Sequence, residues 1–582
     1  MDVAADRPRG RVICAVAGLS LAALAGVRLA LVLPRVANRY AFGWDSARRA
    51  MLDLDAAEAL RQLDLRSFFW YVGGPETWPT LRLVLAAPLH VLAGSGGIFA
   101  VEHGLSIAAT AAIAVALALA ARAVASSAID ALLVFAVGAA LLAGNRALLV
   151  YAADGMLEPL SALLTLAATG AWIAARRRGT ARPWSLALLG NLLFHVKWQH
   201  GIFFAGTVLA FEGMSAGTAP ARRSVAAVLR SLLLGARSWA GSVLLALAAL
   251  LAMIALAVSA TGGIEGTYLG ARVALRDVHG PIAWLALALF TFVQLALWRD
   301  RSRLAGEVPQ RLRFLWTWLA TPMAAWILVP FTWRLRTLMV TAGGYDSGDT
   351  PVGSVRRLLY YPGSAWETWV APGARPLLLV MLVASALAAW RVPAVRRWLA
   401  PIATLAAMEW LALSLVSRHN YQARFALNLA PLLALAGAAW IVAVPATWLR
   451  ALLAVGATIA LAAAASPGWR TETLAATMGQ GFNPAEHGDA CRRMAEAVAP
   501  RSVVINDAPM LYRQGCALWA MVVGRRQGHI VEFDTRVRPG HEAVFLLSDC
   551  ARPLPVPPGF VPDRELRLEP LCARSCSQTP SR

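Results

Sequence analysis

The feature that most constrains this chain is a series of apolar segments, each close to the roughly 20 residues a helix needs to cross the hydrocarbon core of a bilayer. The first, Val12 to Leu33, follows Arg7, Arg9 and Arg11, which assigns the N-terminus to the cytoplasm. Its apolar core is too long for a secretory signal, so it reads as a retained helix. Further segments at 98–122, 128–145, 157–175, 184–197, 200–212, 239–260, 282–298, 314–333, 374–390, 398–417, 425–444 and 449–466 bring the expectation to about thirteen spans. Those starting at 184 and 200 are short. An odd number of spans puts residues 467–582 outside.

Composition agrees with lipid as the main solvent: 58% of the 582 residues are hydrophobic and only 15% are charged. The net charge of +21 would suggest nucleic acid in a soluble protein. Here the arginines fall between apolar runs, which fits membrane topology and anionic head groups and excludes a nucleic-acid face. Alternate short loops are basic: Arg176 to Arg178 with Arg182, then Arg222, Arg223, Arg230 and Arg237, then Arg299 to Arg313, then Arg391, Arg396 and Arg397. Acids such as Asp45, Asp53, Asp154, Glu158, Asp346 and Glu367 gather on the other side. The outer face therefore carries the polar chemistry.

The chain divides near Ser466-Pro467-Gly468. Residues 1–466, with a first outer loop at 34–80, form the membrane part. Residues 467–582 read as a small α/β domain, with a helix at Pro484 to Val498 and strands at Val503 to Ile505, Ile530 to Phe533 and Ala543 to Leu547. The tail from Pro553 to Pro562 reads as irregular. Five of six cysteines lie in this region, in no zinc-like spacing; outside the cytoplasm they would form one or two disulfides and leave one thiol unpaired.

Four polar places stand out on the outer side. Asp45 opens an amphipathic segment with apolar positions Ala50, Met51, Leu54, Ala57, Leu60 and Leu63; a carboxylate there caps the helix and could also serve as a base just above the bilayer. Asp154 and Glu158 are four apart, so one helical turn would put both on one face, able to position an acceptor or hold a divalent ion. Lys197, flanked by His195 and His200, is the only lysine among 54 basic residues and sits between two short apolar runs. A lysine at membrane depth is costly unless paired or meeting an anion such as phosphate. Finally Arg418, Tyr421 and Arg424 join two late spans, and arginine forks match phosphate oxygens. The loop 334–373, with Arg334, Arg336, Arg356, Arg357, Tyr360 and Tyr361, would cover this region or contact a carrier lipid.

This layout resembles the GT-C superfamily of polyprenyl-phosphate-dependent glycosyltransferases, in the branch of protein mannosyltransferases and aminoarabinose transferases. Trp44-Asp45-Ser46-Ala47-Arg48 is similar to the family motif in which an Asp of the first outer loop is the proposed catalytic base. Many members carry a second acid beside it, where this chain has Ser46. Asp154 to Pro159 is similar to the family's polar segment between its third and fourth spans, and Lys197 and the 418–424 segment look like its donor-phosphate contacts. The resemblance implies a polytopic membrane fold with an extracytoplasmic terminal domain in a bacterial inner membrane. It also implies inverting transfer of a sugar from a polyprenyl-phosphate donor to a lipid, glycan or protein acceptor. No cofactor is required by this chemistry, and a divalent metal could assist at Asp154 and Glu158. A transporter or flippase of a lipid-linked sugar is the alternative; it would more naturally show paired halves and interrupted helices at mid-membrane, and no internal repeat is evident.

Overall fold

The computed structural model of the chain describes residues 6–36, 42, 44–73, 80–94, 97–268, 271–275, 278–328, 334–335, 354–416, 423–480, 491–493, 495, 502–507, 518–519, 521–523, 531–533, 543–568 and 571–578. A long helix α1 (Asp6–Val32) is followed by three shorter ones on the first loop: α2 (Trp44–Arg61), α3 (Leu65–Gly73) and α4 (Thr80–Ala93). Next come α5 (Ile98–Val124), α6 (Ala128–Ala143), α7 (Arg146–Tyr151), α8 (Glu158–Arg177), α9 (Trp184–Val196), α10 (Trp198–Ser215), α11 (Thr218–Ala236) and α12 (Trp239–Thr261). A hairpin of β1 (Ile264–Tyr268) and β2 (Ala271–Leu275) leads to α13 (His279–Arg299), α14 (Arg301–Glu307), α15 (Gln310–Leu315) and α16 (Thr321–Leu328). The last helices are α17 (Ser354–Thr368), α18 (Arg375–Arg391), α19 (Pro393–Val416), α20 (Ala430–Gly437), α21 (Thr447–Ala465) and α22 (Thr471–Met478), with a 3-10 turn at Ala423–Leu429 before α20.

Among the described residues, nine helices are long and apolar enough to cross a membrane, and α10 with α11 forms a further pair bent by 120°. Shorter apolar helices are α4, α6 and α9. The segments expected to span are helical over most of their described parts, with breaks such as Lys197 and Ala438. The surface is inverted relative to a soluble protein: Leu24, Leu31, Trp239, Leu256, Trp390 and Trp448 are exposed, whereas the packed interior holds many of the ionisable groups. The protein is a polytopic α-helical membrane protein with a C-terminal α/β sheet. Local signals set several helix starts. The side chains of Ser127, Asn145 and Ser238 accept hydrogen bonds from the backbone amides of Asp130, Leu148 and Gly241, satisfying donors a helix leaves free at its start.

The C-terminal strands are β3 (Ser502–Asp507), β4 (Val531–Phe533), β5 (Ala543–Asp549), β6 (Phe560–Leu568) and β7 (Leu571–Gln578), in the sheet order β4-β3-β5-β7-β6. The pairs β3/β4 and β3/β5 are parallel, while β5/β7 and β7/β6 are antiparallel. A disulfide, Cys550–Cys572, ties the end of β5 to β7; Cys491 is also disulfide-bonded and Cys576 is a buried free thiol. Strands β6 and β7 go beyond the sequence reading. The irregular tail ends at Phe560, where the chain pairs with β7 through Leu568 despite Pro562, at which the register shifts. Most of the expected helix at 484–498 lies outside the described residues.

The first loop is more folded than its pattern suggested. Leu63 does not extend the apolar face of α2: it adopts a φ of 55° at the turn into α3 and is exposed. Asp64 then caps α3, accepting from Ser67 N at 3.0 Å and from Ser67 Oγ at 2.6 Å. The fourth helix, α4, packs against α2 and α5. A buried ionic cluster fixes it there. Arg82 on α4 donates to Asp53 of α2 at 2.7 Å and to Glu102 of α5, and His90 Nε2 lies 2.8 Å from Glu102. Burial, and next the Glu102 carboxylate, push the Asp53 carboxyl well above its usual range. Replacing Arg82 by Met strands both carboxylates in the interior and is expected to cost about 3–5 kcal/mol. Thermal unfolding of the purified protein in detergent measures it; an unchanged midpoint would show that the cluster does not hold the loop.

Candidate functional site

Three cations from three distant stretches of chain gather at the start of α8. Glu158 is the first residue of that helix and is buried, with the positive end of the helix dipole behind it. Lys197 Nζ donates to Glu158 Oε1 at 3.2 Å, and Arg424 Nε lies 3.9 Å from the same oxygen. Arg49, one turn into α2 from Asp45, joins them through Met156: its Nη1 is 3.5 Å from Met156 Sδ, and Arg424 Nη1 approaches the same sulfur at 3.8 Å. The Phe425 ring lies 5.0 Å from Lys197 Nζ and 5.5 Å from Arg424 Cζ, a π face beside both cations.

Backbone geometry explains why these residues can meet. Lys197 is the single extended residue between α9 and α10, so the chain reverses at that point. The reversal needs Gly201, since a Cβ there would lie 2.4 Å from Phe194 Cα and Cβ. Gly155 adopts a φ of 65° in the Asp154 to Glu158 turn; a Cβ on it would meet Phe42 Cε1 at 2.8 Å and Ser46 Cβ at 3.5 Å. This turn therefore rests on the first turn of α2. Asp154, on the same turn, is buried. Phe42 in turn stacks on Phe99 of α5, and Phe99 meets Trp519 of the C-terminal region at 4.8 Å. The ionic site and the C-terminal sheet thus share one end of the helical body.

The structure sorts the expected site residues into four groups. Glu158, Lys197 and Arg424 are brought together, with Asp154 on the adjoining turn. His200 lies behind them: its Nε2 donates to the Phe425 carbonyl at 2.8 Å, Nδ1 is 2.5 Å from Ser161 Oγ, and Glu409 Oε1 is 3.4 Å from Nε2. A carbonyl can only accept, so the Nε2 atom carries a proton and, in the neutral ring, Ser161 donates to Nδ1. His195 points elsewhere, with Nδ1 3.2 Å from Thr80 Oγ1 and its ring against Phe194 and Trp326. Asp45 is the second residue of α2, but its side chain lies outside the described residues, as do Arg418 and Tyr421. In the loop beyond α16, Arg334 is occupied with the Trp326 carbonyl at 2.8 Å and with Gly73 of α3.

Several polar residues of this region escaped the sequence reading. Arg49 looked like one of many loop arginines. Glu102 and Glu409 are acids inside apolar helices, a signal that by itself marks a position of interest, but attention to the loops passed over it. Glu409 accepts from Asn428 Nδ2 at 3.0 Å, which extends the polar chain from His200 into the helical body.

At Glu158, Oε1 faces the Lys197 ammonium and the Arg424 guanidinium, while Oε2 is buried and makes no hydrogen bond among the described residues. Among the described residues, the group whose ligand atoms lie close enough for an ion is Asp53, His90 and Glu102, within 4.8 Å of one another. There Arg82 already bridges the two carboxylates.

No family model and no curated protein matches the sequence. Among solved structures, the chain is similar to ArnT from Cupriavidus metallidurans bound to undecaprenyl phosphate, at 12% identity and a TM-score of 0.46, over 95% of this chain and 97% of that one. It is also similar to the apo oligosaccharyltransferase of Archaeoglobus fulgidus, at 13% identity and a TM-score of 0.44. That match covers 87% of this chain but 64% of the oligosaccharyltransferase.

Gly155→Ala is expected to destabilise the protein by about 1–3 kcal/mol, from the left-handed backbone and the collision with Phe42. The readout is the thermal unfolding midpoint in detergent; a neutral substitution would mean that the turn does not bear on α2.

Proposed function

We propose that the chain is a membrane glycosyltransferase that moves a sugar from a polyprenyl-phosphate donor to an acceptor outside the cytoplasm, with inversion at the anomeric carbon. The observation that carries this reading is the gathering of Arg49, Lys197 and Arg424 around Glu158, beside the turn that rests on the first turn of α2. Buried cations at that density suit a ligand that develops negative charge, as a departing polyprenyl phosphate does. Asp45, on the turn of α2 that meets Gly155, takes the role of base for the acceptor hydroxyl or amine. Lys197 and Arg424, with Arg418 and Tyr421 on the same segment as Arg424, neutralise the leaving phosphate. Asp154 orients the acceptor, and Glu158 keeps the cations in place between turnovers. His200 acts from behind by holding the Phe425 carbonyl, and His195 stands farther out on the same reversal.

The proposed orientation has the N-terminus in the cytoplasm and residues 467–582 outside, as a domain separate from the membrane part at 1–466. Arginine alternation supports it, and so does the Cys550–Cys572 disulfide, which suits an oxidising compartment. An inner membrane with a polyprenyl-phosphate pool is the setting this chemistry needs.

Purified protein is expected to transfer labelled sugar from a polyprenyl-phosphate donor, and Asp45→Asn to lower kcat by about 10²–10⁴ while donor binding persists. Full activity in Asp45→Asn would remove it as the base. Arg424→Gln should lower kcat by about 10²–10³, the scale of losing one charge-stabilising donor. Donor binding by wild type without turnover, across lipid, glycan and peptide acceptors, would favour a transporter instead.

A further inference from the structure

On the far side of α5 from α8, the first and last long helices leave a gap. α1 packs on α5 and α21 packs on α6, and the seam between them is an open cleft of about 480 Å³. Small side chains make the room: Ala25 of α1, Ala111 and Ala114 of α5, Ala139 of α6 and Ala462 of α21 all line it. The walls are almost entirely apolar. Thr110 and Ser466, the hydroxyls that line it, are bonded to the carbonyls of Ser106 and Ala463. A gap of this kind binds water poorly, and leaving it empty would forfeit packing along two helices.

One end of the cleft is charged. Arg28 lines it and is held by Nη2, which donates to the Trp469 carbonyl at 3.0 Å and to Thr471 Oγ1 at 2.8 Å. Among the described residues its Nη1 and Nε make no hydrogen bond, so donors remain for a ligand at the mouth. Trp469 forms the adjacent wall, its indole N–H donating to the Ala143 carbonyl at 2.8 Å; a tryptophan beside an arginine at a helix end marks head-group depth. From Arg28 down α1 to Leu21 the cleft runs for roughly 10 Å at the helical rise of 1.5 Å per residue.

We propose that this cleft is a structural lipid site, which takes one acyl chain of an anionic phospholipid and seats its phosphate against Arg28. The chain fills the seam between α1 and α21; the bonds of Arg28 reach Trp469 and Thr471, beyond the end of α21. The site is distinct from the ionic cluster at Glu158, since none of Arg49, Lys197 and Arg424 lines it.

The test uses the full-length protein in detergent, stripped of lipid and mixed with phosphatidylglycerol or phosphatidylcholine, with bound lipid counted by native mass spectrometry. Wild type should retain one phosphatidylglycerol with about fivefold preference over phosphatidylcholine, the scale of one arginine near an anionic head group. Arg28→Gln should abolish the preference and Arg28→Lys should keep it; this pair decides the question of charge without disturbing the packing. Ala139→Leu combined with Ala462→Leu should evict both lipids, while Val455→Leu on the exposed face of α21 should evict neither. Equal retention of the two lipids by wild type would overturn the proposal. So would undiminished retention in the filled-cleft variant, or stronger retention of a polyprenyl phosphate than of phosphatidylglycerol.

Discussion

A carboxylate at the head of α8 is what allows two cations to be buried beside it. Lys197 and Arg424 are each less than a tenth exposed, and an uncompensated charge there would cost several kcal/mol. Glu158 lowers that cost from one oxygen, at 3.2 Å and 3.9 Å, and the α8 dipole lowers the cost of keeping Glu158 itself ionised. Removing the carboxylate would leave the two cations with each other. The reversal at Lys197, the 3-10 turn carrying Arg424 and the Gly155 turn are three unrelated backbone solutions that serve this one electrostatic arrangement.

The same logic operates a second time, with the signs exchanged. Asp53 and Glu102 share Arg82, and His90 completes the set around Glu102. This cluster lies between α2, α4 and α5 and turns a loop into a fixed part of the body. The two clusters differ in what they leave over. Around Arg82 the carboxylates outnumber the guanidinium, and burial beside Glu102 favours the protonated form of Asp53. Around Glu158 one carboxylate oxygen serves Lys197 and Arg424 together, with the Asp154 turn beside them.

How much of this could be read from the sequence depends on the range of the signal. Spans announce themselves locally, because twenty apolar residues leave a helix as the form that satisfies the backbone in lipid. Lys197 and Glu158 were legible for a related reason: an ionisable group beside an apolar run is costly and so conspicuous. Their pairing was not, since it joins residues 39 apart through a reversal that only Gly201 permits. Arg49 is hidden among arginines that a basic-rich composition scatters everywhere. Leu63 misled because its type fits the apolar stripe of α2 while its backbone sits in a turn. Strand β6 was masked by prolines, the last of which, Pro562, lies inside the strand where its pairing with β7 shifts register.

α2 is the element on which these threads converge. Its pattern is that of an interfacial helix, which alone would lie loosely on a bilayer, yet it is held from three directions. The Gly155 turn rests on its first turn, Arg82 grips Asp53 two turns later, and Phe42, Ala47, Ala50 and Leu54 share one buried apolar cluster with Trp519, Phe545 and Leu547 of the C-terminal region. The base proposed at Asp45 would have to be held to within about half an ångström, and a floating helix cannot do that. The sheet therefore has work to do at the site even where it supplies no polar group. By fixing α2 from above while the ionic cluster fixes it from the side, it gives Asp45 a rigid platform that a membrane-surface helix lacks.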